Sequence, residues 1–317
     1  MISFIVINFH LSLFQLIYDI FLTNSNWEQL PYYNRFYHPE VFYLYGMQKF
    51  ISSLQNQAVK RLLQLQEKAR ARKKENVFVV EGVREIGLAI KGGYEVRELY
   101  FNPELFPAEK AEELVSPSTE IIALSPEVYE KIAYRGSTEG VIAVIAAREL
   151  SLDKIKLKNE NPLILVAEAP EKPGNIGALL RTADAAAVDA VFIANPRTDM
   201  FNPNIIRSSV GCLFTNNIAT GTTTEIISFL KQRKIAIFGA ALQASVPYHT
   251  VDFTEGSAIV VGTEATGLSE EWLQNTTKNV IIPMEGEIDS MNVSVAAGIL
   301  IFEAKRQRLR RNSEFKI

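Results

Sequence analysis

Apolar positions along the chain change period several times, and the changes mark out two alternating α/β regions. Between residues 53 and 65, Leu54, Val59, Leu62, Leu63 and Leu65 recur at helical spacing, which predicts a helix with one buried face. Val77-Phe78-Val79-Val80 is a short unbroken apolar run and predicts a buried strand. Glu81-Gly82 then opens a helix through Ile90, and Gly92-Gly93 stops it. Apolar runs at 96–101, 121–124 and 141–146 predict further strands, with helical segments at 108–114 and 126–133 between them. Together these elements describe a smaller α/β domain over residues 47–147.

A charged stretch follows, carrying Glu149, Asp153, Lys154, Lys156, Lys158 and Glu160, and residues 148–160 read as an interdomain linker. Beyond it, apolar runs predict strands at 163–167, 190–194, 235–239, 259–262 and 280–283. Helices are expected at 175–187 and 224–232, and a long one at 290–308. Continuous apolar strands separated by helices predict a mostly parallel sheet covered on both faces. The expected fold class is α/β, with the second domain over residues 161–317.

Residues 1–46 fit neither region. The first 22 are largely apolar, but Asn8, His10, Gln15 and Asp19 interrupt them as a membrane span. The first basic residue, Arg35, lies well beyond the apolar run, whereas a secretory signal starts with basic residues. The Tyr-rich stretch at 32–45 has no clear period. These residues read as an appendage, with Met47 the expected start of the working chain.

Composition narrows the possibilities. At 317 residues and 47% hydrophobic content, the chain can form two ordinary domains with a sizeable core. A net charge of -3 argues against indiscriminate nucleic-acid binding. Two local runs point the other way: Lys68, Arg70, Arg72, Lys73, Lys74, and Lys305, Arg306, Arg308, Arg310, Arg311. Each is either a solvated helix face or a phosphate-binding patch. The lone Cys212, in Val210-Gly211-Cys212-Leu213-Phe214, rules out an internal disulfide and a zinc–thiolate cluster, and reads as a small core residue. With histidines only at 10, 38 and 249, no arrangement suggests a metal site or a Ser-His-Asp triad.

Three segments carry the candidate chemistry, each just after an apolar strand. They are Pro173-Gly174-Asn175-Ile176-Gly177-Ala178-Leu179-Leu180-Arg181-Thr182-Ala183, then Gly262-Thr263-Glu264-Ala265-Thr266-Gly267-Leu268, then Ile282-Pro283-Met284 with Ser290-Met291-Asn292-Val293-Ser294-Val295-Ala296-Ala297. In an open α/β sheet, ligands bind at such strand ends. Asn175 sits where a helix N-cap belongs. Gly262, lacking Cβ, lets the backbone approach a ligand. Ser290 and Asn292 open the last helix, where free N–H groups face outwards.

These segments resemble the three motifs of the SpoU/TrmH-type RNA ribose 2′-O-methyltransferases of the SPOUT superfamily. The likeness spans roughly residues 163–308. Residues 47–147 resemble the family's substrate-binding domain, through Ser53-Leu54-Gln55-Asn56, Lys60, the basic run to Lys74, Glu81-Gly82 and Gly140-Val141-Ile142-Ala143. The resemblance implies a knotted (trefoil) catalytic sheet, S-adenosyl-L-methionine as methyl donor without a metal, an RNA substrate, a homodimer, and a cytoplasmic protein with no membrane partner. It assigns the catalytic arginine to Arg181, with Asn175, Glu264, Ser290 and Asn292 shaping the catalytic geometry. It assigns the donor site to Leu242, Gly262, Ile282, Pro283 and Met291. Met291 stands where the family usually has leucine, a residue of similar volume. RNA contacts are expected at Asn56, Lys60, Arg72 and Arg207.

Methyl transfer to a ribose hydroxyl is an in-line displacement at carbon. A cationic sulfonium becomes neutral, so the protein must supply alignment and a more nucleophilic hydroxyl. A guanidinium is hard to deprotonate, which favours Arg181 as a stabiliser of phosphate and alkoxide charge over Arg181 as a base. The separate substrate domain favours ribosomal RNA. Transfer RNA, a base-nitrogen target and a non-catalytic RNA-binding module of the same fold are the alternatives. A dinucleotide-dependent oxidoreductase would suit the parallel sheet, but Gly174-Asn175-Ile176-Gly177 lacks the Gly-x-Gly-x-x-Gly turn.

Overall fold

The computed structural model describes residues 49–134, 139–263, 265–287 and 290–314, so the expected appendage at 1–46 and Glu264 lie outside the described residues. Apart from Lys49 and Phe50, the described residues belong to one compact unit, Ile51–Ile317.

The first sheet has five strands: β1 (Phe50–Ile51), β2 (Val77–Glu81), β3 (Val96–Phe101), β4 (Glu120–Leu124) and β5 (Val141–Ala146), in the order β1-β4-β3-β5-β2. β3 and β4 run parallel, while β5 lies antiparallel to both β3 and β2. Around it pack α1 (Gln57–Glu67), α2 (Ala69–Glu75), α3 (Val83–Lys91), α4 (Ala108–Leu114) and α5 (Pro126–Ile132). Helix α1 starts where it does because Asn56 Oδ1 accepts from the Ala58 N–H at 2.8 Å, satisfying a donor of the first turn. Its buried face is Val59, Leu62 and Leu65, as the spacing predicts.

The second sheet has seven strands: β6 (Leu163–Glu168), β7 (Ala190–Ala194), β8 (Ile218–Gly221), β9 (Ala236–Ala240), β10 (Ser245–Pro247), β11 (Ser257–Val261) and β12 (Lys278–Ile281). Their order is β10-β12-β9-β11-β6-β7-β8, and every pairing is parallel. The helices are α6 (Pro173–Ala185), α7 (Pro203–Ser208), α8 (Thr223–Gln232), α9 (Glu270–Asn275) and α10 (Val293–Glu314). The chain builds β6, β7 and β8 to one edge, crosses to β9, and later inserts β11 between β9 and β6. That reversal makes the β6–β11 boundary the switch point where open sheets bind ligands.

Part of the stretch expected to be a linker packs on the second sheet. Thr220 N–H donates to the Leu150 carbonyl at 2.6 Å, and Ile155 is buried among Ala219, Ile226 and Phe229. The two sheets meet through aromatic side chains: Phe78 stacks on Phe201 with centroids 4.4 Å apart, and Tyr94 meets Phe214 edge-on at 5.2 Å. Beside them Arg72 Nε donates to Asp199 Oδ2 at 2.5 Å, and its NH1 donates to the Leu65 and Gln66 carbonyls. Arg72 is 4% exposed. Arg72, an expected RNA contact, is instead a buried guanidinium whose Nε and NH1 are engaged between the two sheets. Cys212, expected in the core, is only half-buried. Among the described residues no helix is long and apolar enough to cross a membrane.

Candidate active site

Parallel strands put all their carboxyl ends on one edge, so the turns after β6, β9, β11 and β12 gather there. β6 ends at Glu168, and the chain turns at Ala169, which holds a φ of 44°. Helix α6 then begins with Pro173 in its first position, where a missing N–H costs nothing. Its cap is Lys172, not Asn175. The proline fixes the start two residues earlier than expected, and Asn175 lies inside the first turn. Gly177 has a packing role: a Cβ there would lie 2.0 Å from Ser208 Oγ, so α6 meets α7 with no room for a side chain.

The second segment leaves β11 as a tight loop. Thr263 and Gly267 exchange backbone hydrogen bonds of 3.1 and 3.0 Å. A Cβ on Gly262 would lie 2.2 Å from Gly267 C, so glycine is required by the loop's own closure. The loop's far end is tied to β6: Glu168 Oε2 accepts from the Ser269 N–H at 2.8 Å, and Glu168 is 6% exposed. Its other oxygen accepts from Thr223 Oγ1 at 3.4 Å, which itself accepts from Asn195 Nδ2 at 2.9 Å. This buried carboxylate ties the loop after β11 to the start of α8 and, through Thr223, to the turn after β7. The sequence reading missed it; its only local sign was a glutamate ending an otherwise apolar strand.

The third segment brings Asn292 to the same place. Its Oδ1 accepts from the Ser294 N–H at 3.0 Å, starting α10, while its Nδ2 donates to Asn175 Oδ1 at 3.2 Å. The first and third motifs thus touch directly.

Two adjoining clefts open between these loops. One, of about 370 Å³, is lined by the expected Leu242, Gly262, Ile282, Ser290 and Met291. Pro283 is not among its walls and is exposed. Thr266, Met284 and Leu300, which sequence reasoning did not single out as site residues, also line it. Leu242 and Met284 stand exposed on the rim, apolar surfaces facing an open space. The second cleft, of about 290 Å³, holds Asn175, Glu168 and Lys172, and shares Gly262, Thr263 and Val293 with the first.

Arg181 is not brought to these walls. It lies on the exposed side of α6, six residues and about 9 Å further along the axis than Asn175. Its charge reaches Cys212, where it opposes the upward push on the thiol's pKa from burial and from Asp184. Of the expected RNA contacts, Lys60 and Arg207 are exposed, and Arg207 sits 4.7 Å from the Tyr134 ring. Asn56 is occupied as the α1 cap. Two members of the C-terminal basic run are engaged elsewhere: Arg308 donates to the carbonyls of Phe253, Asn161, Pro162 and Glu255, at the amino edge of β6 and β11. Arg311 meets Glu255 at 2.5 Å, on that same opposite edge. Among the described residues no three His, Cys, Asp or Glu side chains gather in a way that could hold a metal ion.

Known proteins match both bodies. The sequence profile of the SpoU rRNA Methylase family covers residues 162–302, and that of the MRM3-like substrate binding domain covers residues 56–143. The chain is 30% identical over 258 residues to the 23S rRNA (guanosine(2553)-2′-O)-methyltransferase RlmP of Bacillus subtilis (strain 168), covering 81% of this chain and 99% of that protein. It is 31% identical over 240 residues to the 23S rRNA (uridine(2479)-2′-O)-methyltransferase of Streptomyces viridochromogenes, covering 73% and 83%. The crystal structure of an AdoMet-bound rRNA methyltransferase from Sinorhizobium meliloti superposes with a TM-score of 0.75 at 26% identity, over 81% of this chain and 97% of that one. The likeness runs through both sheets and nearly the whole length of these relatives, and the chain belongs to the SpoU/TrmH family of RNA 2′-O-methyltransferases.

Proposed function

We propose that this protein transfers a methyl group from S-adenosylmethionine to a ribose 2′-hydroxyl of ribosomal RNA, in the cytoplasm and as a homodimer. The observation that carries the reading is the Asn292–Asn175 contact, which closes the first and third motifs around one pair of clefts. The names of the relatives, which are ribosomal RNA enzymes, support ribosomal over transfer RNA.

The larger cleft suits the methyl donor. Its volume lies within the range of small-ligand sites, roughly 300–1,000 Å³. Exposed Leu242 and Met284 offer apolar faces for a flat heterocycle, with Ile282 and Met291 beside them. Gly262, required by the closure of its own loop, also lies in the wall. Bound there, the donor supplies an electrophilic methyl carbon on a sulfonium.

The chain's own residues then position the acceptor. Asn175 lines the smaller cleft and is held by Asn292, whose neighbour Val293 is a wall of both clefts, and Ser290 lies on the donor side. Arg181 is assigned to the acceptor's phosphate and to the alkoxide charge that develops on the hydroxyl; its exposure suits a group that meets RNA. Glu264, in the loop between Thr263 and Gly267, is assigned to orienting that arginine or the ribose. Pro283, exposed between the lining residues Ile282 and Met284, is assigned to the donor side. Lys60 and Arg207 are assigned to phosphate contact. The trefoil threading of the loops after β11 and β12 belongs to the same proposal.

The dimer reading has its own support. Val295, Phe302 and Leu309 repeat every seven residues along α10, and all three are exposed large apolar side chains, Leu309 at 66%. A seven-residue apolar stripe is the pattern of a helix that packs on a partner helix. Mapping of 2′-O-methylation across ribosomal RNA from cells with and without the protein tests the function. One ribose should lose its methyl group when the protein is absent; an unchanged ribosomal map would refute the reading.

A further inference from the structure

Three openings are linked by shared lining residues. The donor cleft and the Asn175 cleft share Gly262, Thr263 and Val293. The Asn175 cleft shares Arg197 with a groove of about 470 Å³ formed by α2, the end of β5 and the segment after β7. Lys73 and Arg148 line that groove and are exposed. Arg148 is held in place, its guanidinium 4.6 Å from the Tyr94 ring and donating to the Gly92 carbonyl at 3.1 Å. The groove's own carboxylate, Asp199, is already matched by the buried Arg72. Its charge is therefore positive, and Arg197 is a wall that it shares with the cleft that holds Asn175.

Arg197 stands at the junction, in the turn after β7. Its carboxylate contact is Glu171 Oε1 at 3.2 Å, with both side chains more than three-fifths exposed. An ion pair so open to water is weak and gives way to a better partner. A phosphate is one, because its oxygens match the planar fork of a guanidinium.

We infer that this groove carries the RNA backbone to the Asn175 cleft, and that Arg197 grips a phosphate at the junction. Glu171 holds the guanidinium at the entrance until that phosphate displaces it. The inference rests on the RNA-methylating reading and deepens it, by naming the path of the substrate and the residue that registers it. Arg197 is a positioning residue, acting on the phosphate chain and not on the reacting hydroxyl.

The test uses the full chain with protein-free ribosomal RNA from cells lacking it. RNA affinity is measured across salt, donor binding by calorimetry, and methyl incorporation in parallel. Arg197→Ala should weaken RNA binding and raise the KM for RNA, with donor binding unchanged. One lost phosphate contact lowers the slope of log affinity against log salt by about 0.7–0.9, so the defect should shrink about 2.6- to 3.5-fold between 50 and 200 mM salt. Arg197→Lys should recover part of the affinity and most of the slope. Glu171→Gln should tighten RNA binding in the parent and do nothing when combined with Arg197→Ala. A parent that incorporates no methyl into RNA would overturn the underlying reading. A methylating parent matched by an equally tight and equally salt-sensitive Arg197→Ala would overturn the groove alone.

Discussion

The side-chain amide of Asn292 donates to Asn175 Oδ1 at 3.2 Å, joining two residues 117 positions apart. The same Asn292 side chain caps its own helix through the Ser294 N–H. One residue thus fixes where α10 begins and where it meets α6. Asn175 lines the smaller cleft, and Val293, the residue after Asn292, lines both clefts.

Asn292→Ala should cost about 1 kcal/mol of stability through the lost cap. It should also lower turnover, as should Asn175→Ala. If the two act as one unit, the double mutant loses little more than either single. Turnover measured on the four proteins should give a coupling of about 0.5–3 kcal/mol. Fully additive losses would mean that the two asparagines work separately.

Arg72 and Asp199 make a different prediction, about stability. Removing one member of a buried pair strands the other's charge, at a cost of about 3–5 kcal/mol. Asp199→Ala should therefore unfold at much lower denaturant than the parent. Asp199→Asn, which keeps an acceptor oxygen for the Arg72 Nε–H, should lose less. Chemical denaturation of both variants checks the order; two small and equal losses would show the pair to be of little weight.

The sequence made some of this readable. The run at 163–167 announces β6 because that strand is buried on both faces, and so no polar residue interrupts it. What could not be read was which strands pair. β11 enters between β6 and β9, setting Val260 beside Val166 and Gly239 through contacts no local pattern encodes. Short α7 and β10 also passed unnoticed, since six and three residues are too few to show a period. Arg72 looked like one more cation of a basic run, because its partner Asp199 arrives from the other sheet. Asn175 looked like a cap until Pro173 set the helix start before it. The three motifs were legible because each follows an apolar strand. Their meeting at one edge follows from parallel pairing. The anchoring role of Glu168 was invisible, since the amide it holds, Ser269, lies about a hundred residues away.

The apolar stripe on α10 predicts the assembly state. Phe302 is 51% exposed at the middle of that stripe. Light scattering on the parent should give about twice the mass of one chain, following the seven-residue packing pattern. Phe302→Glu should give a folded monomer, since it removes an apolar contact and adds charge at the seam. A parent that is monomeric and fully active would end the dimer reading.

Arg181 separates the catalytic roles from the donor site. It lies on the exposed face of α6 and lines neither of the two clefts. Arg181→Ala should fold and bind S-adenosylmethionine as the parent does, with turnover lowered by about 10²–10³, or about 2.7–4 kcal/mol in the barrier. Arg181→Lys should rescue poorly, because an ammonium lacks the guanidinium's planar fork. Calorimetry and single-turnover kinetics on the same variants check both halves. Lost donor binding with normal chemistry at saturation would remove Arg181 from the acceptor side.

The central claim is transfer to a ribose hydroxyl, and the alkali stability of the product tests it directly. Alkaline cleavage of RNA requires a free 2′-hydroxyl next to the phosphate that breaks. Purified protein, ribosomal RNA and S-adenosylmethionine carrying a labelled methyl group are incubated together, and the RNA is hydrolysed in base. The label should remain in alkali-stable dinucleotides, and Arg181→Ala should leave almost none there. Label recovered wholly in mononucleotides would place the methyl group on a base and contradict the ribose assignment.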